Sequence, residues 1–228
     1  MSEFPVTAVT MLVVAKAPVP GLAKTRLMKA MTADQAAGIA AAALLDTLAA
    51  VAATPAHSRV VAMTGNLADA ARSDEVREAL RDFTVIEQRG DEFAERLMHA
   101  HHDAYDGHPI VQIGMDTPQV TPTVLTSVSL ALLDQPERCV LGPALDGGWW
   151  VLGVPHPRLT VCLLQVPMST SDTGSRTRSA LEEAGASVVL AEPMHDADEL
   201  TDLEDVAAQC GASSHFRAAA AAVMTSSQ

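Results

Sequence analysis

The chain has 228 residues, of which 48% are hydrophobic and 19% are charged, and its formal net charge is −13. This length and apolar fraction are enough to bury a full core, and they argue against intrinsic disorder. The surplus of acidic residues argues against a nucleic-acid binder, because such a protein needs a basic surface. The three cysteines are widely spaced, which favours a reducing compartment, the cytoplasm.

The first half of the chain alternates apolar strand patterns with amphipathic helix patterns. A β-branched run predicts a buried strand over 10–15, and Thr32 with Gln35 forms a capping box for a helix that ends near Ala53. The apolar stretch 36–53 is rich in alanine and contains Asp46, so we interpret it as a soluble helix and expect no membrane span. Further strands are expected at 58–63, 84–87 and 109–114, and helices at 67–81 and 92–105.

The second half continues the same alternation. Thr121 and Pro122 predict the start of a helix that ends near Leu133. Strands are expected at 138–141, 149–153, 161–166 and 187–191, and helices at 173–184, from 201 and from 214. This order predicts an α/β fold with a mostly parallel sheet, in a single domain spanning 1–228. Ligands of such sheets bind beyond the carboxyl ends of the strands.

A compact basic segment follows the first predicted strand. The chain's three lysines, Lys16, Lys24 and Lys29, all lie here, together with Arg26. Gly21 allows backbone N–H groups to approach an anion, and Lys and Arg can bind phosphate oxygens. The glycine spacing matches neither a Walker A loop nor a dinucleotide fingerprint. The segment therefore predicts a polyphosphate site, with a proline-rich turn carrying exposed bases as the alternative.

Asp116 comes directly after the apolar strand that ends at 114. A carboxylate at this end of a strand can hold Mg²⁺ or Mn²⁺ while the metal contacts phosphates. The alternative is an Asx turn before Thr117 and Pro118. Asp196 or Asp198 could supply a second metal ligand, which is a minority interpretation. Extended backbone would turn their side chains to opposite sides, so we expect at most one of them to face the site. A solvated acidic face is the default interpretation of that stretch.

A glycine-containing loop, 142–148, lies between two predicted strands. Gly147 and Gly148 beside Asp146 permit a ligand to approach the backbone closely, and Trp149 or Trp150 could stack on a sugar or base. The alternative is a tight hairpin turn with the tryptophans in the core.

Four motifs in this order, 16–27, 113–118, 141–153 and 196–203, resemble the DUF2064 family of glycosyltransferase-like proteins. That family is similar to molybdenum-cofactor and F420-pathway guanylyltransferases and implies a GT-A, Rossmann-like fold. The resemblance implies phosphate binding by Ala15, Lys16, Gly21, Lys24, Thr25 and Arg26. It also implies metal binding by Asp116 and Asp198, and acceptor or sugar binding by Asp146, Gly147, Gly148 and Trp149. Leu22 and Leu145 depart from the basic and acidic residues common at those positions.

The function expected from the sequence is a metal-dependent transfer from a nucleoside triphosphate or nucleotide sugar to a small-molecule acceptor, with Mg²⁺ or Mn²⁺. In a glycosyltransferase a hydroxyl attacks the sugar carbon and Asp146 acts as base. In a nucleotidyltransferase a phosphorylated acceptor attacks the α-phosphate. Lys24 and Arg26 would stabilise charge on the phosphates in both reactions. A non-catalytic nucleotide-binding module is a third possibility, and a homodimer is left open.

Overall fold

A computed structural model describes residues 6–198 and 200–226. Its seven strands are β1 (Thr7–Lys16), β2 (Ala56–Thr64), β3 (Thr84–Glu87), β4 (Ile110–Gly114), β5 (Arg138–Pro143), β6 (Trp149–Val154) and β7 (Ser187–Leu190). They form one sheet in the order β3-β2-β1-β4-β6-β5-β7. Only β6 is antiparallel to its neighbours in this sheet of described residues, since the other strand pairs are all parallel.

Within the described ranges, seven α-helices pack around the sheet. They are α1 (Ala33–Ala53), α2 (Ser73–Ala79), α3 (Phe93–Ala104), α4 (Pro122–Leu133), α5 (Thr173–Glu183), α6 (Leu200–Gln209) and α7 (His215–Ser226). The predicted capping box is confirmed, because the Thr32 hydroxyl accepts from the Gln35 N–H and the Gln35 side chain accepts from the Thr32 N–H. The predicted α/β class with a mostly parallel sheet is confirmed as well.

Two predicted elements differ from the structure. The segment 161–166, expected as a strand, lies in a 3₁₀ helix over Pro157–Gln165, so that prediction is wrong. Its buried Pro157, Thr160 and Leu163 are three residues apart, one per turn of a 3₁₀ helix, and a short apolar run does not distinguish this from a strand. The helix expected over 67–81 is interrupted, because Arg72 adopts a left-handed conformation (φ +53°) and α2 begins only after it.

The sheet is buried on both faces, which explains the continuous apolar run of β1. Its Met11 and Val13 pack with helices α1 and α4, while Leu12 and Val14 pack with α3 and the 3₁₀ helix on the opposite face. Parallel strands covered by helices on both sides read as uninterrupted hydrophobic sequence. The core therefore holds the strands rigidly and leaves their ends free to carry a site.

Helix α1 lies between the sheet and a third layer formed by α6 and α7. It is long and apolar enough to cross a membrane, but 72% of its apolar window is buried inside the molecule, as in the core helix of a globular protein. Asp46 is the polar exception. Its carboxylate accepts hydrogen bonds from the backbone N–H groups of His215 and Phe216, so it satisfies the amino end of α7.

His101 on α3 makes the stability of the fold depend on pH. Its side chain is buried, its Nδ1–H donates to the Leu97 carbonyl, and among the described residues its Nε2 has no hydrogen-bond partner. Burial lowers the pKa of His101 to about 4. The unfolded chain therefore takes up a proton below its ordinary pKa of about 6.5, while the folded chain does not until about pH 4.

We expect this difference to reduce the free energy of unfolding by about 2 kcal/mol between pH 7.5 and pH 5. Urea denaturation at the two pH values should show this contribution as the difference between the wild type and His101→Leu, in which acidification should be less destabilising by that amount. The exposed neighbour gives the control, since His102→Leu should follow the wild type. Parallel pH dependence in wild type and His101→Leu would contradict this assignment.

Candidate functional site

The candidate site lies where parallel strands β1, β2 and β4 end at one edge of the sheet. The strand order changes direction here, because β1 is flanked by β2 on one side and by β4 on the other. Two segments leave this edge: the basic segment after Lys16, and the turn that carries Asp116 after β4. Such switch points form the crevices in which open α/β sheets bind their ligands.

Lys24 is the centre of an ion cluster at this edge. Its Nζ lies 2.7 Å from Asp116 Oδ1 and 2.5 Å from Asp198 Oδ1, and the side chain is only 6% exposed. Its backbone is left-handed, with φ +47°. A lysine rarely adopts this conformation, and such strain persists only where the surrounding contacts hold it in place. The ion cluster therefore joins three distant parts of the chain at one point.

The charges of the cluster reinforce each other. Burial alone would lower the pKa of Lys24, but Asp116 and Asp198 outweigh it, so the pKa lies above its usual value. Burial would likewise raise the pKa of Asp198, yet Lys24 and Arg26 bring it below its usual value. Both groups therefore remain ionised at neutral pH.

Three of the other predicted phosphate-binding residues, Lys16, Thr25 and Arg26, line a cavity of about 470 Å³. Arg26 Nη1 is 3.3 Å from Asp198 Oδ2, and its side chain is 58% exposed. Lys16 donates from Nζ to the Leu22 carbonyl and lines this cavity with Thr25. Gly21 lines neither this cavity nor its neighbour; it adopts φ +80° and forms the turn between the prolines and Lys24. We call this space the basic cavity.

A second cavity of about 320 Å³ adjoins the basic cavity, and we call it the tryptophan cavity. Lys16, Met115, Asp116 and Ser169 line both. Ala15, Asp146, Gly148 and Trp149 also line the tryptophan cavity, whereas Gly147 does not. Asp116 therefore lies at the boundary, where a molecule in one space would meet a molecule in the other.

The loop between β5 and β6 is both a hairpin and a cavity wall. Asp146 Oδ1 accepts from the Gly148 N–H at 2.7 Å, and Gly147 adopts φ +93°. A hairpin turn was the alternative interpretation of this loop, and the antiparallel pairing of β5 with β6 bears it out. Trp150 is buried and donates to the Glu192 carbonyl, while half-buried Trp149 faces the cavity. The turn thus holds Asp146 and Trp149 in place.

Asp196 is a site residue that the sequence indicated only as a minority candidate for a metal ligand. It lines the tryptophan cavity, while Asp198 lines the basic cavity. Burial, reinforced by the charges of Asp146 and then Asp198, raises the pKa of Asp196 to about 6. The expectation that at most one of these two carboxylates would face the site is wrong, because they line adjoining cavities. The segment 196–198 therefore contributes one carboxylate to each cavity.

Ser169 and Gln88 were missed. Ser169 lies between the two cavities and adopts φ +61°, a conformation that no sequence signal marks. Gln88 follows β3 and donates both its amide protons, to the Ala15 and Ala62 carbonyls at 2.8 Å. Its acceptor, Oε1, is the atom that it can offer to a ligand in the tryptophan cavity.

The carboxylates of Asp116 and Asp198 fit a divalent cation. Both already converge on one positive charge, the Lys24 ammonium, and each places one oxygen within 2.7 Å of it. Carboxylate oxygens are the ligands that Mg²⁺ and Mn²⁺ prefer. The Lys24 ammonium therefore occupies the position in which a bound metal ion would neutralise the two carboxylates.

The chain has the GT-A fold expected from its sequence, and it shares this fold with solved structures described as a nucleotide-diphospho-sugar transferase and a nucleotidyl transferase. Beyond the fold, the chain belongs to the DUF2064 family, described as "Uncharacterized protein conserved in bacteria", which matches residues 47–170. The motifs at 113–118 and 141–153 lie inside that match, and the basic segment lies outside it.

Three solved structures illustrate the likeness. A "putative nucleotide-diphospho-sugar transferase" from Desulfovibrio desulfuricans G20 is 24% identical, with a TM-score of 0.79 over 96% of this chain and 94% of that one. A nucleotidyl transferase from Methanothermobacter thermautotroptrophicus is 16% identical, with a TM-score of 0.58 over 87% and 95%. A CMP:2-keto-3-deoxy-manno-octonic acid synthetase complexed with CTP is 12% identical, with a TM-score of 0.55 over 88% and 97%. A comparison with curated proteins found no match.

Proposed function

We propose that the protein is a cytoplasmic, metal-dependent transferase that uses a nucleotide sugar as donor and a small molecule as acceptor. The observation that supports this most is the meeting of the two cavities at Asp116. The basic cavity carries Lys24 and Arg26, the tryptophan cavity carries two tryptophans, Asp146 and Asp196, and Lys16 and Asp116 line both. A phosphate-bearing donor and an uncharged or polar acceptor need such adjacent, chemically different spaces, because the reaction depends on positioning.

The donor phosphates lie in the basic cavity. Lys16, Lys24 and Arg26 line this cavity and supply the charge that binds phosphate oxygens. Asp116 and Asp198 hold a Mg²⁺ or Mn²⁺ ion, which supplies positive charge to the phosphates. Lys24 then contacts the phosphates instead of the two carboxylates and stabilises the negative charge that develops on the departing nucleoside diphosphate.

The acceptor lies in the tryptophan cavity. Trp149 offers an indole face on which a sugar ring can stack, and Gly148 leaves room for close approach to the backbone. Asp146 takes the proton from the acceptor hydroxyl as its oxygen attacks the anomeric carbon and the carbon–phosphate oxygen bond breaks. Its hydrogen bond with the Gly148 N–H fixes the carboxylate for that role.

Nucleotidyl transfer is the second candidate, favoured by the likeness to two nucleotidyl-transferring enzymes. The same basic cavity would then hold a triphosphate, a phosphorylated acceptor would attack the α-phosphate, and pyrophosphate would leave. A panel of nucleoside triphosphates and nucleotide sugars with Mg²⁺ or Mn²⁺, read by thermal shift, distinguishes the two. Nucleotide sugars should raise the melting temperature most. Stabilisation by triphosphates alone would favour the second candidate, and no stabilisation would oppose both.

Replacing Lys24 with Met should weaken binding of the panel's best ligand by about 10- to 100-fold, since a charge-assisted hydrogen bond to phosphate is worth about 1.5 to 3 kcal/mol. Removing the ammonium also leaves Asp116 and Asp198 facing each other, so added Mg²⁺ should stabilise Lys24→Met more than the wild type. Isothermal titration calorimetry and melting curves measure the two effects. Lys29→Met is the matched control, because Lys29 is exposed and lines neither cavity. Equal nucleotide affinity in both variants would contradict the phosphate-binding role.

A further inference from the structure

A second cluster of ligand side chains lies at the opposite end of the sheet. It consists of His57 at the start of β2 and of Asp106 and His108 in the turn before β4. The turn depends on Gly107, whose φ of +99° favours glycine and brings its two neighbours to one side. Strand β1 runs about 20 Å from Thr10, which contacts the cluster, to Lys16, which lines the basic cavity. The cluster and the proposed nucleotide site are therefore separated by about the length of this strand. The cluster therefore belongs to a different part of the molecule from Asp116 and Asp198.

The three side chains converge closely. One ligand atom from each can be chosen so that all three lie within 4.8 Å of one another. His108 Nδ1 is 3.1 Å from Asp106 Oδ1, and His57 Nε2 is 3.9 Å from Asp106 Oδ2. In a tetrahedral site with bonds near 2.1 Å, donor atoms lie about 3.4 Å apart. Small side-chain rotations are enough to reach that spacing, and the side chains are 31–49% exposed, so they can rotate.

Two hydroxyls orient the carboxylate. Thr10 donates to Asp106 Oδ1 at 2.9 Å, and Ser58 donates to Oδ2 at 2.6 Å. Hydroxyls that fix a metal-binding carboxylate are typical of the outer shell of metal sites.

The imidazole rings of His57 and His108 stack with centroids 3.8 Å apart and planes inclined by 27°. The lone pair of an imidazole nitrogen lies in the ring plane, so both rings have to turn out of this stack before their nitrogens can meet at one ion. Two imidazoles and a carboxylate are the ligand set of zinc and other late first-row divalent ions, whereas Mg²⁺ prefers oxygen ligands alone.

We propose that His57, Asp106 and His108 form a second metal site, which binds a Zn²⁺-type transition-metal ion and leaves a coordination position open to solvent. The site joins the amino ends of β2 and β4 through segments about fifty residues apart in sequence. It is independent of the nucleotide site in residues, position and metal preference.

The test is calorimetric titration of ZnCl₂ into chelator-treated protein whose purification tag has been removed. Wild-type protein and Asp116→Asn should both show the site, and His57→Ala and His108→Ala should each lose it. Ser58→Ala should reduce Zn²⁺ affinity by about 10- to 100-fold, because it removes only an orienting hydroxyl. His102→Ala controls for loss of an exposed histidine elsewhere. Circular dichroism verifies that each variant is folded.

Co²⁺ provides an independent spectroscopic measurement. Visible d–d bands should appear on addition of Co²⁺ to wild type and Asp116→Asn, and they should be absent in His57→Ala. Zn²⁺ titrations of His57→Ala and His108→Ala that match the wild type would overturn the proposal. Loss of Zn²⁺ binding in Asp116→Asn with retention in His57→Ala would overturn it as well, since the ion would then occupy the nucleotide site. Neither result depends on whether nucleotides bind.

Discussion

We expect Asp116→Asn to lower kcat by about 100- to 1,000-fold with the donor that the ligand panel selects. The substitution keeps the size of the side chain and removes its charge. Asp116 lies at the boundary of the two cavities and pairs with Lys24 at 2.7 Å, so its charge acts where the phosphates and the acceptor meet. The substitution should therefore slow the transfer step itself, in which a cation lies beside the phosphates.

The loss should be accompanied by weaker metal binding. Titration with Mn²⁺, followed by electron paramagnetic resonance, should show reduced affinity in Asp116→Asn without any need for turnover. Asp134→Asn is the matched control, because Asp134 has a similar ion pair, with Arg138 at 2.6 Å, but lies in neither cavity. If Asp116→Asn retains the Mn²⁺ affinity and kcat of Asp134→Asn, Asp116 is not a metal ligand.

The sequence was most informative where local chemistry and chain order coincide. The β-branched run of β1 and the capping box at Thr32 predicted their elements, because each depends on neighbours within four residues. The basic segment and Asp116 were expected at the same edge, because parallel strands carry their following loops to one end. That Lys24 would pair with both Asp116 and Asp198 could not be predicted, since the contact with Asp198 spans 174 residues.

The residues that were missed or only weakly indicated depend on tertiary contacts. Asp196 belongs to the site only because the tryptophan cavity, which it lines, adjoins the basic cavity, which Asp198 lines. His57 and Asp106 converge only after β1, β2 and β4 pair in register, with Thr10 and Ser58 between them. No spacing along the chain marks such a cluster, whereas a metal motif on a single helix or loop would be visible.

Gly147→Ala should reduce the free energy of unfolding by more than about 4 kcal/mol, a size that single substitutions rarely reach. Gly147 adopts φ +93°, and an added Cβ would overlap the backbone carbonyl of Ser171, which cannot rotate away. The Gly174 N–H donates to the Gly147 carbonyl at 2.8 Å, so the loop and the start of α5 are held together at the same point. The overlap can be relieved only if the loop and the start of α5 move apart.

Two matched variants divide this effect into its causes. Gly185→Ala has the same backbone demand, φ +94°, with nothing within 4 Å of the added Cβ, so it should cost about 1 to 2 kcal/mol. Gly174→Ala brings a Cβ within 2.5 Å of the Gly148 carbonyl oxygen inside a helix, where alanine itself is favourable by about 0.5 to 1 kcal/mol. Its net loss should lie between the other two. Urea denaturation measures all three, and equal losses would show that the β5–β6 loop and α5 do not pack as closely as their contacts indicate.

Because the same loop carries Asp146 and Trp149, any fraction of Gly147→Ala that stays folded should also lose acceptor binding, whereas Gly185→Ala should retain it.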